Sequence, residues 1–213
     1  SWNPQALTDG LGERYATARI SFKPWPSCRG THPYIEGALR IMREHRPNPE
    51  RITSIRAVVS GINRMLIEPE EAKKAPQTPI NAKFSIPFAI ATAIHYGDVT
   101  LEHFTEEALA NPGVLELARK VSCEVDQQVS YRESLRGTVT VEADGHCFSA
   151  TVEMPYGHPD HPLPDEVLVG KFLSCARHAA VPIPEDRLRR AADMILNLEE
   201  VRDMRELMDL FGA

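Results

Sequence analysis

The residues best placed to do chemistry lie in one short stretch, Ser21-Phe22-Lys23-Pro24-Trp25-Pro26-Ser27-Cys28-Arg29-Gly30-Thr31-His32-Pro33. Lys23, Arg29 and His32 can carry positive charge, and Cys28 supplies a thiol. Pro24 and Pro26 fix φ and remove two amide donors, and each pushes the residue before it towards extended geometry. Lys23 and Trp25 are therefore held in a stiff backbone. Gly30-Thr31 can then open a helix, and a helix N-terminus beside basic side chains suits an anion. Lys23 could bind a carboxylate or exchange a proton once desolvated. His32 could shuttle a proton near neutral pH, because an ordinary imidazole titrates there. Cys28 is a weaker candidate, as a nucleophile flanked by Arg29 and His32. The plain alternative for the stretch is a surface turn with solvated charges, with His32 in a capping or packing role.

Other groups read as structural. His158-Pro159-Asp160-His161 has metal-ligand residue types but not the spacing of a known site, and no fourth ligand is evident. The four cysteines, Cys28, Cys123, Cys147 and Cys175, form no Cys-x-x-Cys pair, which argues against structural zinc. Cys123, Cys147 and Cys175 sit in apolar-rich segments and are expected in the core, in a reduced, cytoplasmic setting. His95, on an apolar helix, is expected to be a core or interface histidine. Glu68, Glu70 and Glu71 read as a solvated charge run.

A net charge of −6 over 213 residues argues against general nucleic-acid binding, which needs a basic face. It requires any site for an acidic substrate to be a local basic pocket. No apolar run approaches the roughly 20 residues needed to span a bilayer, and no signal segment opens the chain.

These side chains need a scaffold, and the periodicities suggest an α+β one. Residues 1–14 show little pattern and read as the tail of a preceding element. Residues 16–23 are expected to form a strand and His32 to His45 a helix, with Tyr34, Ile35, Ala38, Leu39 and Met42 as its apolar stripe. Residues 51–60 alternate, placing Thr53, Ile55, Ala57 and Val59 on one side of a strand. Residues 66–80 read as a loop with one short helical turn. Ser85 caps a buried helix that Gly97 ends, with Pro87 in its first turn. Thr100 and Thr105 open short helical segments, and Asn111-Pro112 opens another that ends near Lys120. Three alternating runs follow, near 121–125, 138–141 and 146–154, the last two joined by the hairpin signal Asp144-Gly145. This implies a mostly antiparallel sheet covered by the helices at 32–45 and 85–97. Residues 155–164 are linker-like by composition. Helices are expected near 165–178, 185–197 and 200–211, with no sheet of their own to cover.

The stretch Phe22 to His32 resembles the Lys-Pro-Tyr-Pro-Ser-Cys…Thr-His motif of the 2-methylcitrate dehydratase (MmgE/PrpD) family. Lys83-Phe84-Ser85-Ile86-Pro87-Phe88-Ala89-Ile90-Ala91 with Tyr96-Gly97 resembles a second family motif. Phe104 to Leu109 and Gly157 to Leu163 resemble two more, all in family order between about residues 18 and 175. The resemblance implies an α/β lid domain over 18–157, preceded by a tail of a helical body at 1–17. It implies that 158–213 is a linker followed by helices returning to that body. The long helical part of the family has no counterpart in this sequence.

By the same resemblance, Lys23 matches the lid-side active-site lysine and His32 the motif histidine. Ser27, Cys28 and Arg29 would contact substrate, and Phe88 falls where some members carry an active-site tyrosine. The family dehydrates, decarboxylates or epimerises small polycarboxylates by proton transfer next to a carboxylate, without a required metal or organic cofactor. The implied partners are a small polycarboxylate and either a second copy of the chain or a separate helical chain, with no nucleic acid or membrane. The rival reading is a non-catalytic module that binds a carboxylate or docks onto a helical chain.

Overall fold

Alternation along the four strands segregates apolar from polar side chains, and that segregation builds the core. The computed structural model describes residues 2–127 and 135–212. The sheet has the order β2-β1-β3-β4, from β1 (Ile52–Ser60), β2 (Val121–Asp126), β3 (Gly137–Ala143) and β4 (His146–Val152). Two of its pairings are antiparallel, and β1 pairs with β2 in parallel. One face presents Ile55, Ala57, Val59, Val121, Val139, Val141, Ala150 and Val152, all buried. The other carries polar ladders, such as Thr138 with Thr151 at 2.9 Å and Thr140 with Ser149 at 3.1 Å. Asp144 and Gly145 turn β3 into β4 with φ of 51° and 75°, as a two-residue hairpin requires.

Two helices cover the apolar face. α1 (His32–His45) buries Tyr34, Ile35, Ala38 and Ile41 against β3 and β4, with Leu39 and Met42 at the margin. Before the next long helix come α2 (Glu70–Lys74) and α3 (Pro79–Lys83), where one turn at most was expected. Both have local causes. Glutamates open α2 and lysines close it, matching the helix dipole, and Thr78 caps α3 with Pro79 in its first turn. α4 (Ile86–Tyr96) is buried from Ile86 to Ile94; Ser85 caps it and left-handed Gly97 ends it. α5 (Glu106–Leu109) and α6 (Pro112–Arg119) complete the crossover from β1 to β2. Such a connection is what a parallel pair demands.

Several expectations are corrected. Residues 16–23 form no strand: Ala16–Arg19 is a 3₁₀ turn, and Ile20 and Phe22 remain exposed. The prolines that follow cannot donate to a ladder, and the Phe22 amide bonds to the Gly157 carbonyl instead. Thr53 is exposed because the register shifts between Ile52 and Ser54, and a one-residue shift moves a side chain across the sheet. Cys147 is exposed because it alternates with Phe148 and so lies on the polar face; Cys175 is also exposed. Cys123 is half-buried, and burial pushes its thiol up to about 12. His95 is exposed, since α4 emerges from the core at its last turn.

The final helices are α7 (Asp165–Ala176), α8 (Glu185–Leu196) and α9 (Met204–Asp209). They lie outside the main core: α7 buries no residue fully, α8 buries Leu188, Ala191 and Ala192, and α9 buries Leu207. Among the described residues no helix is long and apolar enough to cross a membrane.

Candidate functional site

The loop from Phe22 to Thr31 is fixed at both ends and in the middle. The Phe22 amide donates to the Gly157 carbonyl at 2.8 Å, and the Cys28 amide to the Lys83 carbonyl at 2.9 Å. Trp25 is buried, and its Nε1–H donates to Asp98 at 3.2 Å. The Thr31 hydroxyl donates to the Cys28 carbonyl at 2.8 Å. Its one proton is thereby used, so the Ser27 hydroxyl, 2.7 Å away, donates to it. Ser27 and Thr31 thus hold the loop from within.

Arg29 joins this loop to a second one. Its guanidinium donates to the carbonyls of Tyr156 at 2.9 Å and Pro155 at 3.1 Å. On the same side, the Tyr156 amide donates to Glu36 at 2.7 Å, and Glu36 also pairs with Arg40 at 3.0 Å. Residues 155–164 are therefore a pinned turn and not an extended linker. His158 and His161 form an isolated bridge, and Gly157 takes φ of 87°. A Cβ at Gly157 would lie 2.2 Å from the Phe22 carbonyl oxygen, so only glycine permits the two loops to meet. His161 Nδ1 donates to the Met154 carbonyl at 3.1 Å.

His32 begins α1 fully buried, edge-on to Trp25 with ring centroids 5.3 Å apart. Arg29 lies 3.0 Å from its Nδ1. A guanidinium can only donate, so Nδ1 accepts and the ring proton sits on Nε2, which is enclosed without a partner. Burial, then the charge of Arg29, with smaller effects of Lys23 and Lys171, pushes His32 down from 6.5 to about 3; the Ser27 backbone acts the other way. Of the two roles set out for His32, proton shuttle and packing, its burial beside Trp25 and Arg29 favours packing. Desolvation and three nearby cations hold the ring neutral.

Arg29 thus contacts His32 directly, and the charges of Lys23 in the loop and Lys171 in α7 also act on the ring. Lys23 is exposed, and Lys171 of α7 donates to its backbone carbonyl. Ser27 is buried and Cys28 half-buried within the loop. Phe88 is apart from this group: it is fully buried and packs against Phe104 with centroids 6.4 Å apart.

Three residues that bear on the site escaped the sequence reading: Glu36, Lys171 and Lys73. Lys73 donates to the Phe84 carbonyl at 2.7 Å. Burial holds its pKa below the usual lysine value, while Cys28 acts in the opposite direction. The only signal for Lys73 was its place in a charge run, which ordinarily means solvent. Among the described residues, no three His, Cys, Asp or Glu side chains converge as a metal site would require.

A model of the MmgE/PrpD C-terminal domain matches residues 25–200. The chain is 27% identical over 221 residues to the cis-aconitate decarboxylase-like protein oryM of Aspergillus oryzae, with all of this chain aligned to 44% of that protein. It is 26% identical over 228 residues to a cis-aconitate decarboxylase of Aspergillus terreus, again with 100% of this chain against 44% of the relative. The cis-aconitate decarboxylase of Mus musculus is 24% identical over 188 residues, covering 86% of this chain and 38% of the relative. The chain spans less than half the length of these curated relatives.

Proposed function

The chain belongs to the MmgE/PrpD family, matching its C-terminal domain, and from that premise we propose that it carries the lid side of a lyase or isomerase site for a small polycarboxylate. The observation that carries this reading is the positive charge of Lys23, Arg29 and Lys171 acting on a histidine held neutral, in a chain of net charge −6. Removing a proton next to a carboxylate builds enolate charge, which fixed cations stabilise. Lys23 is the exposed cation, on a backbone stiffened by two prolines, and would meet the substrate carboxylate. Arg29 and His32 position the loop: the guanidinium ties it to Pro155 and Tyr156, and the imidazole accepts from that guanidinium.

The names of the relatives favour decarboxylation of cis-aconitate as the first reaction to test. Dehydration of 2-methylcitrate and epimerisation of iminodisuccinate open by removing a proton next to a carboxylate, whereas decarboxylation releases carbon dioxide and protonates the carbanion left behind; all three build the negative charge that the same cations would stabilise. The three substrates are incubated with the chain at high concentration and followed by NMR. Turnover of one of them, lost in Lys23→Ala, is the expected result and names the reaction. Turnover unaffected by Lys23→Ala would remove Lys23 from the site. No turnover of any substrate favours a second reading, a carboxylate-binding module that docks onto a helical chain. That reading has its own support: Trp2, Leu7, Leu11 and Met208 are 80%, 71%, 73% and 62% exposed, as surfaces awaiting a cover would be.

A further inference from the structure

Pro24, Trp25 and Pro26 line one wall of a cleft of about 770 Å³ between α1 and α7. α7 presents Val167, Gly170, Lys171 and Ser174 to it, a spacing that puts them on one helical face. A Cβ placed at Gly170 would meet nothing within 4 Å, so this face leaves the cleft open. α1 supplies Glu36, Arg40 and Arg43, and Arg177 lies just beyond the end of α7.

The acids of the cleft already accept hydrogen bonds from their neighbours, whereas two of its cations, Lys171 and Arg177, have no ion pair among the described residues. Glu36 has one oxygen on Arg40 and the other on the Tyr156 amide. Asp98 accepts from the Val99 amide at 2.7 Å and from Trp25. Among the cations, Arg40 is paired. Lys171 donates to a neutral carbonyl, that of Lys23. The side chain of Arg43 is 78% exposed and pairs with Glu44 at 4.0 Å. Arg177 forms no ion pair among the described residues. Lys171 and Arg177, without an ion pair among the described residues, and the largely exposed Arg43 thus face one open cleft in an acidic chain.

We propose that this cleft binds a small anion of two or more charges, and that its occupancy is coupled to the loop through Lys171. Guanidinium groups hold carboxylates and phosphates alike through paired N–H bonds, so charge and size define the ligand. The Lys171 ammonium has three N–H donors, so an anion can take one while another stays on the Lys23 carbonyl. Binding then joins the ligand, through Lys171, to the loop that carries Trp25. This goes beyond the reaction proposed for Lys23, whose side chain does not line the cleft.

The test uses Trp25 as reporter. The chain holds two tryptophans, and Trp2→Phe leaves Trp25 alone. Citrate and pyrophosphate are titrated separately, with sodium chloride at matched ionic strength as control, and calorimetry on the wild type repeats each titration. The expected result is a saturable change in Trp25 fluorescence that chloride does not reproduce. The double variant Arg43→Ala/Arg177→Ala weakens it by at least about tenfold, the loss of a charge-assisted bond, whereas Lys23→Ala leaves it in place. A response to citrate alone identifies a polycarboxylate ligand, and one to pyrophosphate alone a phosphate ligand. The proposal is overturned if all salts act equally, if the double variant binds as the wild type does, or if Lys23→Ala alone abolishes binding. None of these outcomes depends on turnover, so the cleft and the reaction proposed for Lys23 fail separately.

Discussion

The ring of His32 holds one proton at neutral pH, and its contact with Arg29 places that proton on Nε2. This has a consequence for stability. The folded chain lowers the His32 pKa to about 3 from 6.5, so folding favours the neutral form. The resulting stabilisation is complete above the unfolded pKa and declines as pH falls from 6.5 towards 3, by up to about 1.4 kcal/mol per pH unit. His103 acts in the same direction: its Nδ1 accepts the Thr100 amide at 3.0 Å, and burial lowers its pKa. The melting temperature should therefore drop on acidification below about pH 6.5, before most carboxylates titrate. In the NMR spectrum, the His32 imidazole resonances should stay constant between about pH 5 and 8. A midpoint near 6.5 for that ring would refute the assignment. Arg29→Lys gives a further check at this scale. A lysine cannot reproduce a planar fork that reaches two carbonyls and a ring nitrogen, so thermal unfolding should show a loss of roughly 1–3 kcal/mol.

Two glycines separate a required close approach from a merely open position. Gly157 combines φ of 87° with a Cβ site 2.2 Å from the Phe22 carbonyl oxygen. Gly157→Ala should cost at least about 2 kcal/mol in urea unfolding and free the 22–31 loop from its turn. Gly170 sits inside α7 with empty space around its Cβ position. Gly170→Ala should instead stabilise by about 0.5–1 kcal/mol; equal effects at the two positions would contradict this account. The same contrast explains what could be read from the chain. The Ser85 cap, the Gly97 stop, the Asp144-Gly145 turn and the stripe of α1 rest on neighbours within a few residues, and their sequence patterns identify them. Thr53 was misplaced because a single register shift reverses a strand face. The expected strand at 16–23 had β-like side chains but no partner strand. Arg29 was visible as a cation, but its partners at Pro155 and Tyr156 are set by tertiary packing, as is the bond from Lys171 to Lys23.

Exposed apolar side chains concentrate in the first and last segments of the chain. Leu7, Leu11, Tyr15, Ile20 and Phe22 lie near its start, and Ile195, Leu196, Leu198, Met204 and Met208 near its end, each 44% or more exposed. Single exposed apolar residues are ordinary, but runs of them mark surfaces that bind something. The sheet and its two covering helices already enclose their own core, so these residues are surplus to the α+β unit. In water, such faces should drive association, with a second copy of the chain as the available partner. Sedimentation at micromolar concentration should then show a species heavier than the 23.8 kDa monomer. Leu11→Glu together with Met208→Glu should shift it towards monomer without lowering the unfolding temperature, because these side chains are 73% and 62% exposed in the isolated chain. A monodisperse monomer in the unmodified chain would show that these faces tolerate water. It would leave the helical portion of the longer relatives as their remaining cover, testable by mixing that portion with this chain and repeating the sedimentation.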